Sequence, residues 1–358
     1  MAKQRQLRCL IAAGGTVGHV APSLAVAEAL RARGVEVTFA GSPDRVEARL
    51  VPERGYAFDA FRVAGFPRRP GPQLARALGL AAAAPAACLR ILARRRPDVV
   101  LGGGGYVAGP MLVAAWLRRI PTALTEADAH LGLANRIAAP FVRRMFLAYP
   151  IDGFDGKARV VGRPIPSLSR SVSRAEARRL LSLPEEGPLV LVFGGSQGAR
   201  TLNDAALAAW GERGPHVLHL SGERDYEELR GGVTRPDYRL EPFIDDFGAA
   251  LGAADLVVAR AGGSVWEVAA AGKPAILVPY PHATADHQRR NAEYFVEAGG
   301  AVLVDDAEAA TRVPEVVVEL LADPERLQEM AAAMLAAAKP DAADRIADEL
   351  VALAAARR

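Results

Sequence analysis

The sequence predicts an α/β protein of two Rossmann-like domains, each a parallel sheet covered by helices on both faces. Two observations carry this. An apolar strand, a glycine loop and an amphipathic helix open the chain, and the same three-part start recurs near residue 189. Strands and helices then alternate through short Gly-rich turns, the pattern that builds parallel sheets. The length of 358 residues also exceeds the roughly 250 to 300 at which one core stops growing.

The first strand covers 7–13 and leads into Gly14-Gly15-Thr16-Val17-Gly18-His19. A helix follows over about 23–33, ended by Gly34, and then a strand over 35–40. Residues 74–92 read as a helix flanked by Arg68-Arg69 and Arg94-Arg95-Arg96. Its uncharged run, 77–89, has thirteen residues, short of the roughly 20 that a bilayer span needs. A strand at 98–101 runs into Gly102-Gly103-Gly104-Gly105-Tyr106, and one at 122–125 into Glu126-Ala127-Asp128-Ala129-His130. The proline-rich stretch Gly162-Arg163-Pro164-Ile165-Pro166-Ser167 suits a linker, which joins the domains near 162–173. The second half repeats the design with a strand at 189–193, the loop Gly194-Gly195-Ser196-Gln197-Gly198 and a helix over 201–211. Strands at 255–259 and 275–278 lead into Arg260-Ala261-Gly262-Gly263-Ser264-Val265-Trp266-Glu267 and a polar run, 279–288. The tail from 324 reads as helices broken at Lys339-Pro340.

A composition of 51% hydrophobic and 24% charged residues is that of a folded protein. Cys9 and Cys88 are the two cysteines; without a CxxC or a disulfide framework they are expected to be core thiols in a reducing cytoplasm. Residues 1–8 are polar and precede only a short strand, so no signal peptide is expected. Charge is uneven: residues 1–160 hold 23 Lys+Arg against 11 Asp+Glu, and residues 161–358 hold 21 against 30. The halves are therefore expected to face different partners. Apolar surface beside arginine clusters suits an anionic membrane, the alternative being a buried helix with solvated ends; the basic first half favours the membrane.

The glycine loops end strands and begin helices, where free backbone N–H groups and the helix dipole receive phosphate. The first loop lacks GxGxxG, the second strand lacks the acidic residue that holds a nicotinamide ribose, and no GxxxxGK[ST] occurs. A dehydrogenase is disfavoured and a P-loop ATPase excluded. His19, at a helix start, should be uncharged and is a candidate general base; the alternative is a helix cap. Glu126 and Asp128 are placed to hold a hydroxyl rather than a metal, and His216, His219, His282 and His287 carry no metal signature. Ser196 offers a hydroxyl to phosphate, and Glu267 is placed for ribose hydroxyls.

With these residues in view, the chain resembles the MurG family of peptidoglycan UDP-GlcNAc transferases over nearly its whole length. The match runs through GGTVGH at 14–19, GGGGYVAGP at 102–110, GGSQGA at 194–199, PFIDD at 242–246, RAGGSVWE at 260–267 and KPAILVPYPHATADHQ at 273–288. The resemblance implies a GT-B fold, two Rossmann-like domains with parallel sheets facing a central cleft. It implies residues 1–163 as an acceptor-binding and membrane-associating domain, 164–340 as a UDP-GlcNAc-binding domain, and 341–358 as a C-terminal helix packing on the first. The implied reaction is inverting transfer of GlcNAc to the 4-hydroxyl of MurNAc in undecaprenyl-diphosphate-MurNAc-pentapeptide, without metal or cofactor, at the cytoplasmic face of the cell membrane. The partners are UDP-GlcNAc, the lipid-linked acceptor and an anionic membrane surface, with no nucleic acid.

By the same resemblance Ile244 meets uracil through its backbone, Ser196 the diphosphate, Glu267 the ribose and Gln288 the sugar hydroxyls, with Gln197 a further donor-binding residue. Gly263, Ser264, Val265, Thr16, Val17, Gly18, Asp128 and Arg163 complete the donor set. The 14–19 and 102–105 loops, through Gly14, Gly15, Gly103 and Gly104, hold the acceptor diphosphate with Tyr106, and His19 and Glu126 are the catalytic pair. Val17 stands where the family usually has glycine, Glu126-Ala127-Asp128 where it has EQN, and Gly162 to Pro166 where it has GNPVR, so that Arg163 takes over from an arginine three residues later. The alternatives are a UDP-GlcNAc 2-epimerase, a GT-B transferase with another acceptor, and a non-enzymatic nucleotide-sugar or lipid-binding protein.

Overall fold

The computed structural model describes residues 5–63, 71–154, 156–166, 172–195 and 198–356. It divides into two compact units, residues 1–166 with 340–358, and residues 167–339.

The first unit holds seven parallel strands: β1 (Arg8–Ala13), β2 (Glu36–Gly41), β3 (Ala57–Ala60), β4 (Val99–Gly104), β5 (Thr122–Glu126), β6 (Arg144–Leu147) and β7 (Ala158–Val160), ordered β3-β2-β1-β4-β5-β6-β7. The helices between them are α1 (Val17–Ala32), α2 (Glu47–Glu53), α3 (Pro72–Arg95), α4 (Ala108–Leu117) and α5 (Leu133–Ala138). Alternation along β1 feeds two cores. Cys9, Ile11 and Ala13 join Val20, Leu24 and Leu30 of α1 on one face, while Leu10 and Ala12 join Cys88, Met111 and Leu112 on the other. Burial pushes both thiols up to about 12, so neither is reactive at neutral pH.

Two boundaries differ from expectation. Helix α1 begins at Val17, not near residue 23. Thr16 is its extended N-cap, and Pro22 sits inside the helix. Strand β4 continues through Gly102, Gly103 and Gly104, since it lies between β1 and β5 and pairs with both. A Cβ at Gly103 would overlap the Ser23 hydroxyl, so close packing of α1 needs glycine there.

The second unit begins with α6 (Arg174–Leu180). Its six parallel strands are β8 (Leu189–Phe193), β9 (His216–Leu220), β10 (Tyr238–Glu241), β11 (Leu256–Ala259), β12 (Ala275–Leu277) and β13 (Ala301–Leu303), ordered β10-β9-β8-β11-β12-β13. Helices α7 (Arg200–Trp210), α8 (Glu223–Leu229), α9 (Phe247–Ala253), α10 (Val265–Ala270), α11 (His287–Glu297), α12 (Ala309–Leu321) and α13 (Pro324–Ala337) cover them. Val190 and Val192 of β8 pack with Leu202 and Trp210 of α7 and Val313, Val317 and Leu320 of α12. The wholly buried Arg178 donates to the carbonyls of Ala253, Pro184, Glu185 and Gly187 and pairs with Asp255 at 2.8 Å. Its charge is thereby matched, and it straps α6 to the starts of β8 and β11.

The last helix, α14 (Ala342–Ala355), belongs to the first unit. Ile346, Leu350 and Leu353 complete the core beside α1, and Arg33 bonds to Asp344 at 2.9 Å and Asp348 at 2.6 Å. In each sheet the strand order reverses once, between β1 and β4 and between β8 and β11. Open α/β sheets bind ligands beyond the carboxyl ends of the strands at such a reversal.

Candidate active site

At the first reversal the loops after β1 and β4 are tied together, Gly14 N donating to the Gly104 carbonyl at 3.3 Å. Gly15 N donates to one oxygen of Glu47 at 2.9 Å, and Ser42 N donates to the other at 2.9 Å. Glu47, at the start of α2, is wholly buried, and no motif in the sequence marks it. Two N–H groups that the loop offered to an anion are thus already engaged. What remains is the first turn of α1, whose N–H groups at Val17 and Gly18 cannot be satisfied within the helix.

His19 is the third residue of that turn. Gly104, with φ of 102°, lies so close that a Cβ there would stand 2.5 Å from His19 Nδ1; only glycine lets β4 pass the imidazole. The imidazole is held below its usual pKa, first by burial and next by the Arg163 guanidinium, while Asp128 and Glu47 pull the other way. The expected uncharged state therefore has burial, more than the helix dipole, as its cause. Arg163 Nη2 donates to the Gly18 carbonyl at 2.6 Å. Val17 and Tyr106 are 49% and 57% exposed at the rim.

Glu126, at the end of β5, is buried and fully occupied. One oxygen accepts from Ala127 N at 2.9 Å and Asp128 N at 3.3 Å, and the other from Gly132 N and Asn135 Nδ2, both at 2.9 Å. Burial raises its pKa against the Gly132 and Asn135 bonds that stabilise the carboxylate. The geometry suits a group that shapes the 127–132 turn and presents Asp128.

In the second unit, Gly194 and Gly195 begin the loop after β8, and Ser196 and Gln197 lie outside the described residues. At the second reversal, Gly263 and Ser264 precede α10, Val265 is buried in its first turn, and Glu267 is half-buried two residues further round. Arg260 donates to the carbonyls of Val278 at 3.1 Å and Pro279 at 3.2 Å, fixing the chain that follows β12. Gln288 Oε1 accepts from Tyr280 N at 2.9 Å, leaving its amide N–H groups as its free chemistry. Ile244 is half-buried between β10 and α9, whose N-cap Asp246 accepts from Ala249 N at 2.8 Å. Among the described residues no three His, Cys, Asp or Glu side chains gather as a metal site.

Beneath the β8 loop lies a buried polar chain that the sequence did not reveal. His219 meets Tyr238 OH at 2.7 Å and Asn203 Oδ1 at 3.0 Å, and Asn203 Nδ2 donates to the Ser221 carbonyl and to Asp225, each at 2.9 Å. With Asn203 Oδ1 as acceptor, the His219 proton is on Nε2 and Nδ1 accepts from Tyr238. Burial lowers the His219 pKa to about 4. The unfolded chain, with an ordinary histidine near 6.5, takes up this proton first, so the stability is complete above that pH and is lost as pH falls toward about 4. Denaturant midpoints should fall over this window by the equivalent of at most about 3 kcal/mol. His219→Gln should flatten the dependence, and an unchanged slope would exclude His219 as its source.

Residues 9–147 match the glycosyltransferase family 28 N-terminal domain and residues 189–346 its C-terminal domain. The chain is 44% identical over 354 residues to the UDP-N-acetylglucosamine–N-acetylmuramyl-(pentapeptide) pyrophosphoryl-undecaprenol N-acetylglucosamine transferase of Acidithiobacillus ferrooxidans, covering 94% of this chain and 95% of that one. The crystal structure of Acinetobacter baumannii MurG superposes with a TM-score of 0.77 at 28% identity, covering 97% and 99% of the two chains. UDP-GlcNAc 2-epimerase from Neisseria meningitidis gives 0.66 at 12% identity, with 97% and 100% covered. That likeness is one of fold alone.

Proposed function

The chain belongs to the MurG family within glycosyltransferase family 28, and from that membership we infer that it transfers GlcNAc from UDP-GlcNAc to the 4-hydroxyl of MurNAc in undecaprenyl-diphosphate-MurNAc-pentapeptide, with inversion. The observation that carries the mechanism is His19 in the first turn of α1, packed against Gly104 at the strand-order reversal, with Arg163 bonded to the neighbouring Gly18 carbonyl and burial lowering the imidazole pKa. His19 takes the proton of the acceptor hydroxyl as its oxygen bonds to the anomeric carbon and the bond from that carbon to the UDP oxygen breaks. The N–H groups of Val17 and Gly18, with Tyr106 at the rim, receive the acceptor diphosphate. In the second unit the 194–199 loop and the start of α10 take the charge that develops on UDP, Glu267 takes the ribose and Gln288 donates to sugar hydroxyls. Glu126 acts through Asp128 as a positioning residue.

Incubation with UDP-GlcNAc, with and without a short-chain lipid-diphosphate muramyl-pentapeptide, tests the reaction. UDP release that requires the acceptor is expected. Epimer formed without acceptor would replace this reading by the 2-epimerase, and absence of turnover by a binding protein.

Among the described residues no helix is long and apolar enough to cross a membrane. Side chains 72–78, 81 and 82 of α3, the expected membrane helix, lie outside the described residues, and we propose a second surface for contact with an anionic bilayer. Arg68 and Arg69 lie outside the described residues, and Arg94 and Arg95 are drawn to buried Asp59 at 2.5 and 2.6 Å. Trp116 and Leu117 at the end of α4 and Leu133 and Ile137 on α5 are 48%, 57%, 57% and 56% exposed. Exposed Arg118, Arg119, Arg136 and Arg143 adjoin them in the chain, giving apolar anchors beside cations. Trp116→Ser with Leu117→Ser should reduce sedimentation with anionic vesicles at least about tenfold, leaving turnover of a water-soluble acceptor intact. Unaltered sedimentation would remove this surface from consideration.

A further inference from the structure

The first turn of α1 contains a carbonyl that the helix cannot satisfy. In an α-helix the carbonyl of residue 18 receives the N–H of residue 22, and residue 22 is proline, which has none. Arg163 fills that place: its Nη2 donates to the Gly18 carbonyl at 2.6 Å across 145 positions of sequence. The same guanidinium is the largest charged influence on His19, the next residue along. Ser23 Oγ secures the following carbonyl, that of His19, at 2.8 Å. The imidazole therefore stands on a turn whose one open carbonyl, that of Gly18, is closed by a side chain from outside the helix.

We propose that Arg163 is the positioning residue of His19, anchored on the carbonyl that Pro22 leaves open, where it fixes the first turn of α1 and keeps a positive charge beside the imidazole. This rests on the reading of His19 as the base. Three charged groups face His19 from the elements around it: Arg163 from the stretch after β7, Asp128 from the turn after β5, and Glu47 from α2. The first opposes protonation and the other two favour it. Arg163 and Asp128 thus set the imidazole between a pair of opposite charges. The cation is oriented by a bond to backbone rather than by a carboxylate, leaving its remaining N–H groups for phosphate oxygens.

The test separates position from catalysis. The His19 imidazole is followed by ¹H–¹³C NMR across pH in the full chain, its signal assigned by its loss in His19→Gln, and kcat/KM is profiled in parallel. Arg163→Gln should move the His19 titration to higher pH, and the acid limb of kcat/KM with it, so that the loss at pH 6 is about three times the loss at pH 8. Arg163→Lys, which retains the charge, should hold the titration closer to that of the parent, and Asp128→Asn should move it to lower pH. Pro22→Ala supplies the missing N–H, competes for the Gly18 carbonyl and should shift His19 in the direction of Arg163→Gln. A His19 titration unmoved in both Arg163→Gln and Pro22→Ala overturns the proposal. A titration that moves while the acid limb stays supports the positioning role and removes His19 as the base.

Discussion

Replacing His19 with Ala should lower kcat by about 10²- to 10⁴-fold, the span a positioned general base supplies, while the KM for UDP-GlcNAc changes no more than about twofold. The asymmetry follows from where the imidazole sits. It is packed against Gly104 and held by the first turn of α1 in the unit assigned to the acceptor, so its loss removes proton transfer without touching the loops after β8 and β11. The lowered pKa fixes the pH behaviour as well. The base form predominates at neutral pH, and the acid limb of kcat/KM should lie below the ordinary histidine range. A rise in KM for the donor with kcat preserved would make His19 a binding residue instead.

Glu47→Ala should destabilise the first unit by about 3 kcal/mol or more. Removing the side chain strands two backbone N–H groups, those of Gly15 and Ser42, and empties a space that Gly14 and Gly41 are shaped to leave. Each stranded donor costs about 1–3 kcal/mol, and the cavity adds to that. Glu47→Gln retains the volume and one acceptor, and should lose about half as much. Chemical denaturation with midpoint and slope compared against the parent reads both. A midpoint shift in Glu47→Ala equal to that of an exposed control such as Glu53→Ala would show that the loop stands without its carboxylate.

Elements were legible where periodicity and glycine placement act locally. β8 was read at its full extent, 189–193, because a fully buried parallel strand shows as an uninterrupted apolar run closed by glycines. The glycines misled at β4, where sheet pairing on both sides overrode their poor strand propensity. The start of α1 was set too late, because the helix runs through Pro22, whose orphaned Gly18 carbonyl is supplied by Arg163 from a distant part of the chain. His19 could be singled out from its place after a glycine loop. Glu47 could not, since its value lies in two bonds to backbone, one of them 32 positions away. The His219–Asn203–Asp225 chain was hidden for the same reason, as three polar residues on separate elements carry no spacing rule.

The return of α14 to the first unit means that order of synthesis is not order of folding. A ribosome that has released residues 1–166 has delivered every strand of the seven-stranded sheet, yet the apolar stripe of α1 around Leu30 still lacks Ile346, Leu350 and Leu353. The unit that emerges first is therefore finished last, with the six-stranded sheet already made. A chain stalled or cleaved before residue 340 exposes that stripe and the unpaired Arg33, a combination that cellular proteases and chaperones read as an incomplete product.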